Sequence, residues 1–162
     1  MKRIAKFMFG LALTVVLVIA IILYAKNGGG KTAGASSNVR LNEVMTSNKG
    51  SVPDDYGNYP DWVELYNSSD KAVDISGYGL SDDLTAGPKY VFPSGTTIAE
   101  HGYIIVYCSG ENTDKLYAPF KLSTKDELVF LDTTGKVIDS LKLISVASGK
   151  ALSLSDDGST WK

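Results

Sequence analysis

From Val39 to the end of the chain, no stretch carries the three-to-four-residue apolar spacing of a useful amphipathic helix. Short runs rich in β-branched and aromatic residues stand there instead, punctuated by turn residues, and this confines the region to an all-β fold. The expected strands are Val39–Met45, Trp62–Tyr66, Tyr90–Phe92, Tyr103–Cys108, Glu127–Leu131, Lys136–Leu141 and Ala151–Leu154. Turn signals such as SNKGS, NSSDK, SDDLTAGP, PSGT, SGEN and DTTG separate them. Alternation places Val39, Leu41 and Glu43 on one face, with Arg40, Asn42 and Val44 on the other. In WVELY, Val63 and Leu65 oppose Trp62, Glu64 and Tyr66. YIIVYC is apolar on both faces, which predicts a central strand covered on both sides. LVFLDTTGKVIDSL reads as a hairpin turning at Asp132–Gly135. Strands at this spacing predict a sandwich or a barrel.

The first thirty-eight residues obey other rules. Phe7 to Ala25 contains no charged residue, and its length suits a bilayer-crossing helix of about 20 residues. Lys2, Arg3 and Lys6 precede it, so positive charge would keep residues 1–6 cytoplasmic and place the rest outside. A cleaved signal peptide is the rival, but its apolar part is ordinarily about 7–15 residues, and the one Ala-x-Ala pattern here, Ala33–Ala35, lies well past the run. A lipoprotein signal would need a cysteine near the end of that run, and none is there. The organisation expected is a cytoplasmic segment 1–6, a transmembrane signal anchor 7–25, a Gly/Ser-rich linker 26–38 and a domain 39–162. Removing Lys2, Arg3 and Lys6 from the sixteen basic residues leaves thirteen against eighteen acidic ones, a balance of −5. With its lysines scattered singly, such a domain is a poor partner for nucleic acid.

With those elements in place, the sequence resembles the bacterial lamin-tail domain. The resemblance runs from VRLNEVMTSN through DWVELYNSSDKAVDISGYGLSDD and KYVFPSGTTIAEHGYIIVYCSG, then FKLSTKDELVFLDTTGKVIDSL, to SGKALSLSDDGSTW, about residues 39 to 161. It implies an immunoglobulin-like sandwich without enzymatic activity, similar to bacterial surface modules that accompany hydrolases, nucleases or spore-coat-type kinases. The matching signature is Asp61, Trp62, Glu64 and Asn67 in DWVELYN, then Gly77, Tyr78, Phe92, Pro93 and Gly102. Chemistry gives these residues structural tasks. Asn67 suits a strand-end turn. Gly77 and Gly102 allow tight turns. Pro93 after Phe92 ends a strand, and Trp62, Tyr78 and Phe92 supply apolar area. Glu64, beside Trp62, has to be exposed or paired.

Few residues offer reaction chemistry. Cys108 is the one cysteine, so no internal disulfide forms. His101 and Cys108 occupy opposite ends of one expected strand, some 20 Å apart at about 3.3 Å per residue, too far for a nucleophile pair. One His and one Cys do not complete a zinc site. Asp54-Asp55, Asp82-Asp83 and Asp156-Asp157 invite calcium, but DDYGNYPDWVEL departs from the EF-hand pattern at Tyr56, Tyr59 and Leu65, so solvated turn carboxylates are the better account. No catalytic residue and no cofactor is assigned. Asn67-Ser68-Ser69 matches a glycosylation acceptor pattern. The loop Val52–Pro60, with Tyr56 and Tyr59, is the leading candidate for partner contact. The function expected is a membrane-tethered, extracytoplasmic interaction or scaffolding module with a protein partner at the cell surface. A cell-wall or glycan binder is the alternative, as is the front part of a larger surface enzyme continuing past Lys162.

Overall fold

The computed structural model describes residues 38–111 and 114–162. The expected segments 1–6, 7–25 and nearly all of 26–38 therefore lie outside the described residues. Among the described residues, no helix is long and apolar enough to cross a membrane.

Ten strands follow in order: β1 Val39–Met45, β2 Asp61–Asn67, β3 Val73–Asp74, β4 Gly79–Ser81, β5 Tyr90–Val91, β6 Thr97–Ile98, β7 Tyr103–Cys108, β8 Glu127–Leu131, β9 Val137–Lys142 and β10 Leu152–Ser153. They form one sheet ordered β10-β1-β2-β7, a second ordered β5-β4-β8-β9, and a ribbon β3-β6. All pairings between these strands are antiparallel. Val39, Leu41, Val44, Val63, Leu65 and Val106 of the first sheet share one buried core with Leu80, Leu128, Phe130 and Leu141 of the second. Ile75 and Ile98 at the ribbon belong to the same core. Tyr90, Phe92, Phe130 and Tyr78 meet edge to face at centroid distances from 5.1 to 6.4 Å. Aromatic pairs favour that geometry beyond the area they bury. The result is an immunoglobulin-like sandwich, as the strand pattern and the resemblance imply.

Three expectations about the strands change. Val44 does not share a face with Arg40 and Asn42. The β1–β2 register slips between Leu41 and Glu43, so Leu41 pairs with Leu65 and Val44 with Val63. One extra residue shifts the alternation by one, and Val44 joins Val39 and Leu41 in the core. A carboxylate oxygen of Asp139 on β9 accepts a hydrogen bond from Leu41 N–H at 3.1 Å just before this slip, which ties the first sheet to the second. β7 is not central but ends its sheet. Val106 and Cys108 are buried, whereas Tyr103 is exposed. Residues 116–118 partly cover that edge: Tyr107 N–H donates to Leu116 C=O and Ala118 N–H to Tyr107 C=O, at 2.8 and 2.7 Å. The third change is additive, since β3, β4 and β6 are strands the sequence did not announce.

β4 shows why. All three of its residues are buried between β5 and β8, yet Gly79-Leu80-Ser81 has the composition of a turn. A Cβ at Gly79 would lie 2.4 Å from Pro88 Cβ, so close approach of two chain segments dictates glycine there.

Candidate functional site

The loop Val52–Pro60 joins β1 to β2 and is held from several sides. Asn48 Nδ2 donates to Val52 C=O at 2.7 Å and to Pro60 C=O at 3.0 Å, clasping both ends. Its Oδ1 accepts from Gly50 N–H and Ser51 N–H. Within the loop, Asp54 Oδ1 accepts from Tyr56 N–H at 3.0 Å and Asn58 N–H at 2.7 Å. Gly57 closes that turn at φ 79°. Tyr107 O–H donates to Pro53 C=O at 2.9 Å, and Asp55 N–H donates to Tyr117 Oη at 3.3 Å. Side chains that accept several local N–H groups replace the solvent an exposed loop would need.

This scaffold turns two aromatic rings outward. Tyr56 is 60% exposed and Tyr59 48%. The Tyr56 ring approaches Tyr117 at 5.9 Å, and Tyr117 approaches Tyr107 at 5.3 Å. Tyr56 and Tyr59 line a cleft of about 740 Å³ together with Asp54, Asp61, Glu111 and Lys121. Asp61 stands at the start of β2, where burial pushes its carboxyl above the ordinary value; the Asn48 N–H, Lys121 and Lys49 oppose that shift less strongly. Burial also raises the Tyr107 and Tyr117 phenols, with the charges of Asp54 and Asp55 adding to it. The cleft thus combines aromatic faces with an excess of negative charge.

The two tyrosines singled out by sequence therefore belong to a shaped feature. Asn48, Tyr107, Tyr117 and Lys121 were missed. Only Asn48 left a local trace, inside the turn signal SNKGS; the others act through partners distant in the chain.

The signature residues other than Asp61 keep structural roles. Asn67 is fully buried, and its Nδ2 donates to Lys71, Ile98 and Ala99 carbonyls at 2.7, 3.2 and 2.9 Å. Its Oδ1 accepts from Ser69 N–H and Ser69 O–H. The amide that a glycan would use is consumed inside the fold, which corrects the acceptor reading of Asn67-Ser68-Ser69. Glu64 is paired: its Oε1 accepts from Asn42 Nδ2 at 2.7 Å, and burial raises its carboxyl despite that bond. Trp62 is buried, Tyr78 packs against Phe130, and Phe92 sits in the core. Pro93 follows β5, and its C=O accepts from Thr96 N–H and Thr96 O–H in the next turn. Gly77 turns at φ 77°. At the other turn the left-handed conformation falls on His101, φ 50°, and not on Gly102. Gly102 is needed because a Cβ there would lie 3.0 Å from Ala99 O.

His101 and Cys108 do stand at opposite ends of β7. His101 Nε2 meets Asp70 at 2.8 Å, and the Cys108 thiol, sealed in the core, is pushed well above its ordinary value. Each acidic pair has at least one carboxylate occupied locally, Asp54 in the turn of its own loop. Asp83 and Asp157 accept from the N–H and O–H of Thr85 and Ser159 two residues on, while Asp82 pairs with Lys89 at 2.6 Å.

The fold defines a class, an immunoglobulin-like sandwich, and this one carries an aromatic-lipped cleft beside one connecting loop. Residues 32–145 match the family model described as the lamin tail domain, most of the chain. The chain belongs to the lamin tail domain family. The match stops short of β10, which nevertheless completes the first sheet by pairing Val44 with Leu152. No curated protein matches the chain.

Proposed function

We propose that this protein is a non-catalytic binding module, tethered to a membrane through residues 7–25 and displayed outside the cytoplasm of a bacterial cell. Its task is to hold a protein partner at the cell surface. The observation that carries the reading is the pinned loop Val52–Pro60 with Tyr56 and Tyr59 turned outward. A flexible loop would lose conformational entropy on binding, and a clasped one loses little. Exposed tyrosines on a fixed frame give large contact area at low entropic cost. The anchor reading rests on the charge-free run Phe7–Ala25 behind Lys2, Arg3 and Lys6.

Cross-linking on intact cells tests both parts. A chain tagged after Lys162 should accept a membrane-impermeant cross-linker and join one dominant protein. That partner should vanish when only residues 1–38 are displayed. A tag shielded by the membrane would refute the topology, and an undiminished partner on the 1–38 form would refute the role of the domain.

Glycan binding is the second reading. Tyr66 and Tyr103 stack at 4.7 Å on the outer face of the first sheet, with Tyr103 58% exposed. Retention on purified cell wall, lost in Tyr103→Ala, would favour it over protein capture.

A further inference from the structure

Charge decides what the cleft beside β2 accepts. Asp54, Asp61 and Glu111 line it against the single basic lining residue Lys121. Asp55 adds its field to the tyrosines at the base, and Lys49 reaches Asp61 from the side. Negative groups therefore outnumber positive ones around the aromatic lip. Beyond residue 25 the chain as a whole also carries an excess of acidic side chains. A neutral sugar gains nothing from that balance, and an anionic ligand is repelled by it. A cation gains twice, once from the carboxylates and once from the negative faces of Tyr56 and Tyr59.

Asp61 sharpens the choice. The hydrogen bond it receives from Asn48 N–H is long, 3.4 Å, and the carboxylate is partly withdrawn from water. A carboxylate so placed is under-solvated, and an incoming ammonium or guanidinium group can restore the lost interactions. Asp54 is less available, because its Oδ1 already accepts two close N–H groups of the turn.

We infer that the cleft receives a lysine or arginine side chain of a partner protein, with Asp61 and Glu111 as counter-ions and Tyr56 and Tyr59 as flanking rings. This inference rests on the proposed partner-binding role of the loop.

The test titrates the full chain, in a zwitterionic detergent, with a blocked lysine–serine octapeptide while following the backbone N–H groups of residues 54–59 and of Asp61. Parallel titrations use the same peptide with acetylated lysines and a hexamer of N-acetylglucosamine. The lysine peptide should saturate, and acetylation should weaken it about tenfold, as should the pair Asp61→Asn and Glu111→Gln. Each variant is accepted only if its thermal midpoint matches the parent's. Tyr56→Ser with Tyr59→Ser, at two exposed side chains, serves as an independent variant and should weaken the lysine peptide as well.

Indifference to acetylation, or no binding of the lysine peptide, overturns the inference. Binding of the sugar hexamer alone overturns it too and reassigns the cleft to glycans. The two levels separate on cells. If the tyrosine variant captures its partner unchanged, the loop is not the binding site. If capture is lost while acetylation makes no difference to the peptide, only the cationic ligand is refuted.

Discussion

Asn67 carries more of this fold than any other single polar side chain described. One amide satisfies three carbonyls, from Lys71 in the following turn and from the end of β6 and the residue after it, and receives two donors from Ser69. Replacing it by Asp keeps the shape but points a buried carboxylate at three carbonyl oxygens. Losing such donors and leaving a buried charge unpaired each cost several kcal/mol. Asn67→Asp should therefore lower the unfolding free energy by about 3 kcal/mol or more. A urea titration reads this directly; a midpoint close to that of the parent would show that the amide network is dispensable. Sequence offered the asparagine and its turn, which holds the Lys71 carbonyl, but the other two carbonyls it serves lie 31 and 32 residues further along, where no local pattern points.

The strands that went unread are all short, and length is part of the reason, although β5 and β10, two residues each, lie within expected strands. β1, β7 and β8 span five to seven residues, enough for side-chain type to reveal a strand, and their expected bounds match those found. β3 and β6 are two residues each. β4 is a strand because two neighbours take up its backbone, and its glycine records a close approach to Pro88. Gly79→Ala should accordingly cost about 1–3 kcal/mol through overpacking. Thermal unfolding checks it, and an unchanged midpoint would mean that the β4 environment yields to an added methyl group.

The turns repeat one device. Asp74, Asp83, Asp132 and Asp157 each accept from the N–H and O–H of a Ser or Thr two residues on. These bonds favour the charged carboxylate and hold all four below the ordinary value, Asp157 down to about 2. The folded chain thus binds these protons less tightly than the unfolded one. Their stabilising contribution is present above the unfolded value near 3.8 and is lost as pH falls through their lowered folded values, which for Asp157 means about 2. Asp61 and Glu64 act in the opposite sense, because burial raises them: protonation below their folded values relieves an unfavourable charge. Asp157→Asn keeps an acceptor for the turn but removes the titration. Its thermal midpoint should fall less than the parent's between pH 4 and pH 2, and parallel curves would refute the assignment.

At the scale of the molecule, the all-β sandwich was readable from strand spacing and from the resemblance, while the relations between strands were not. YIIVYC is apolar on both faces without being central, since Tyr103 lies exposed at a sheet end and Tyr107 serves the loop. The candidate site was half legible for the same reason. Tyr56 and Tyr59 stand out in a loop, whereas the residues that fix them come from β7 and from the segment around Tyr117. What emerges is a sandwich that holds one acidic, aromatic-lipped loop by hydrogen bonds from several sides, the feature on which the proposed binding role rests.

Site-specific photocross-linking tests that claim most directly. A photoreactive phenylalanine analogue would replace Tyr59 in one displayed chain and Ile144 in another, both exposed positions. The account predicts that position 59 captures the surface partner and position 144 does not. Equal capture from both positions, or capture from 144 alone, would contradict it.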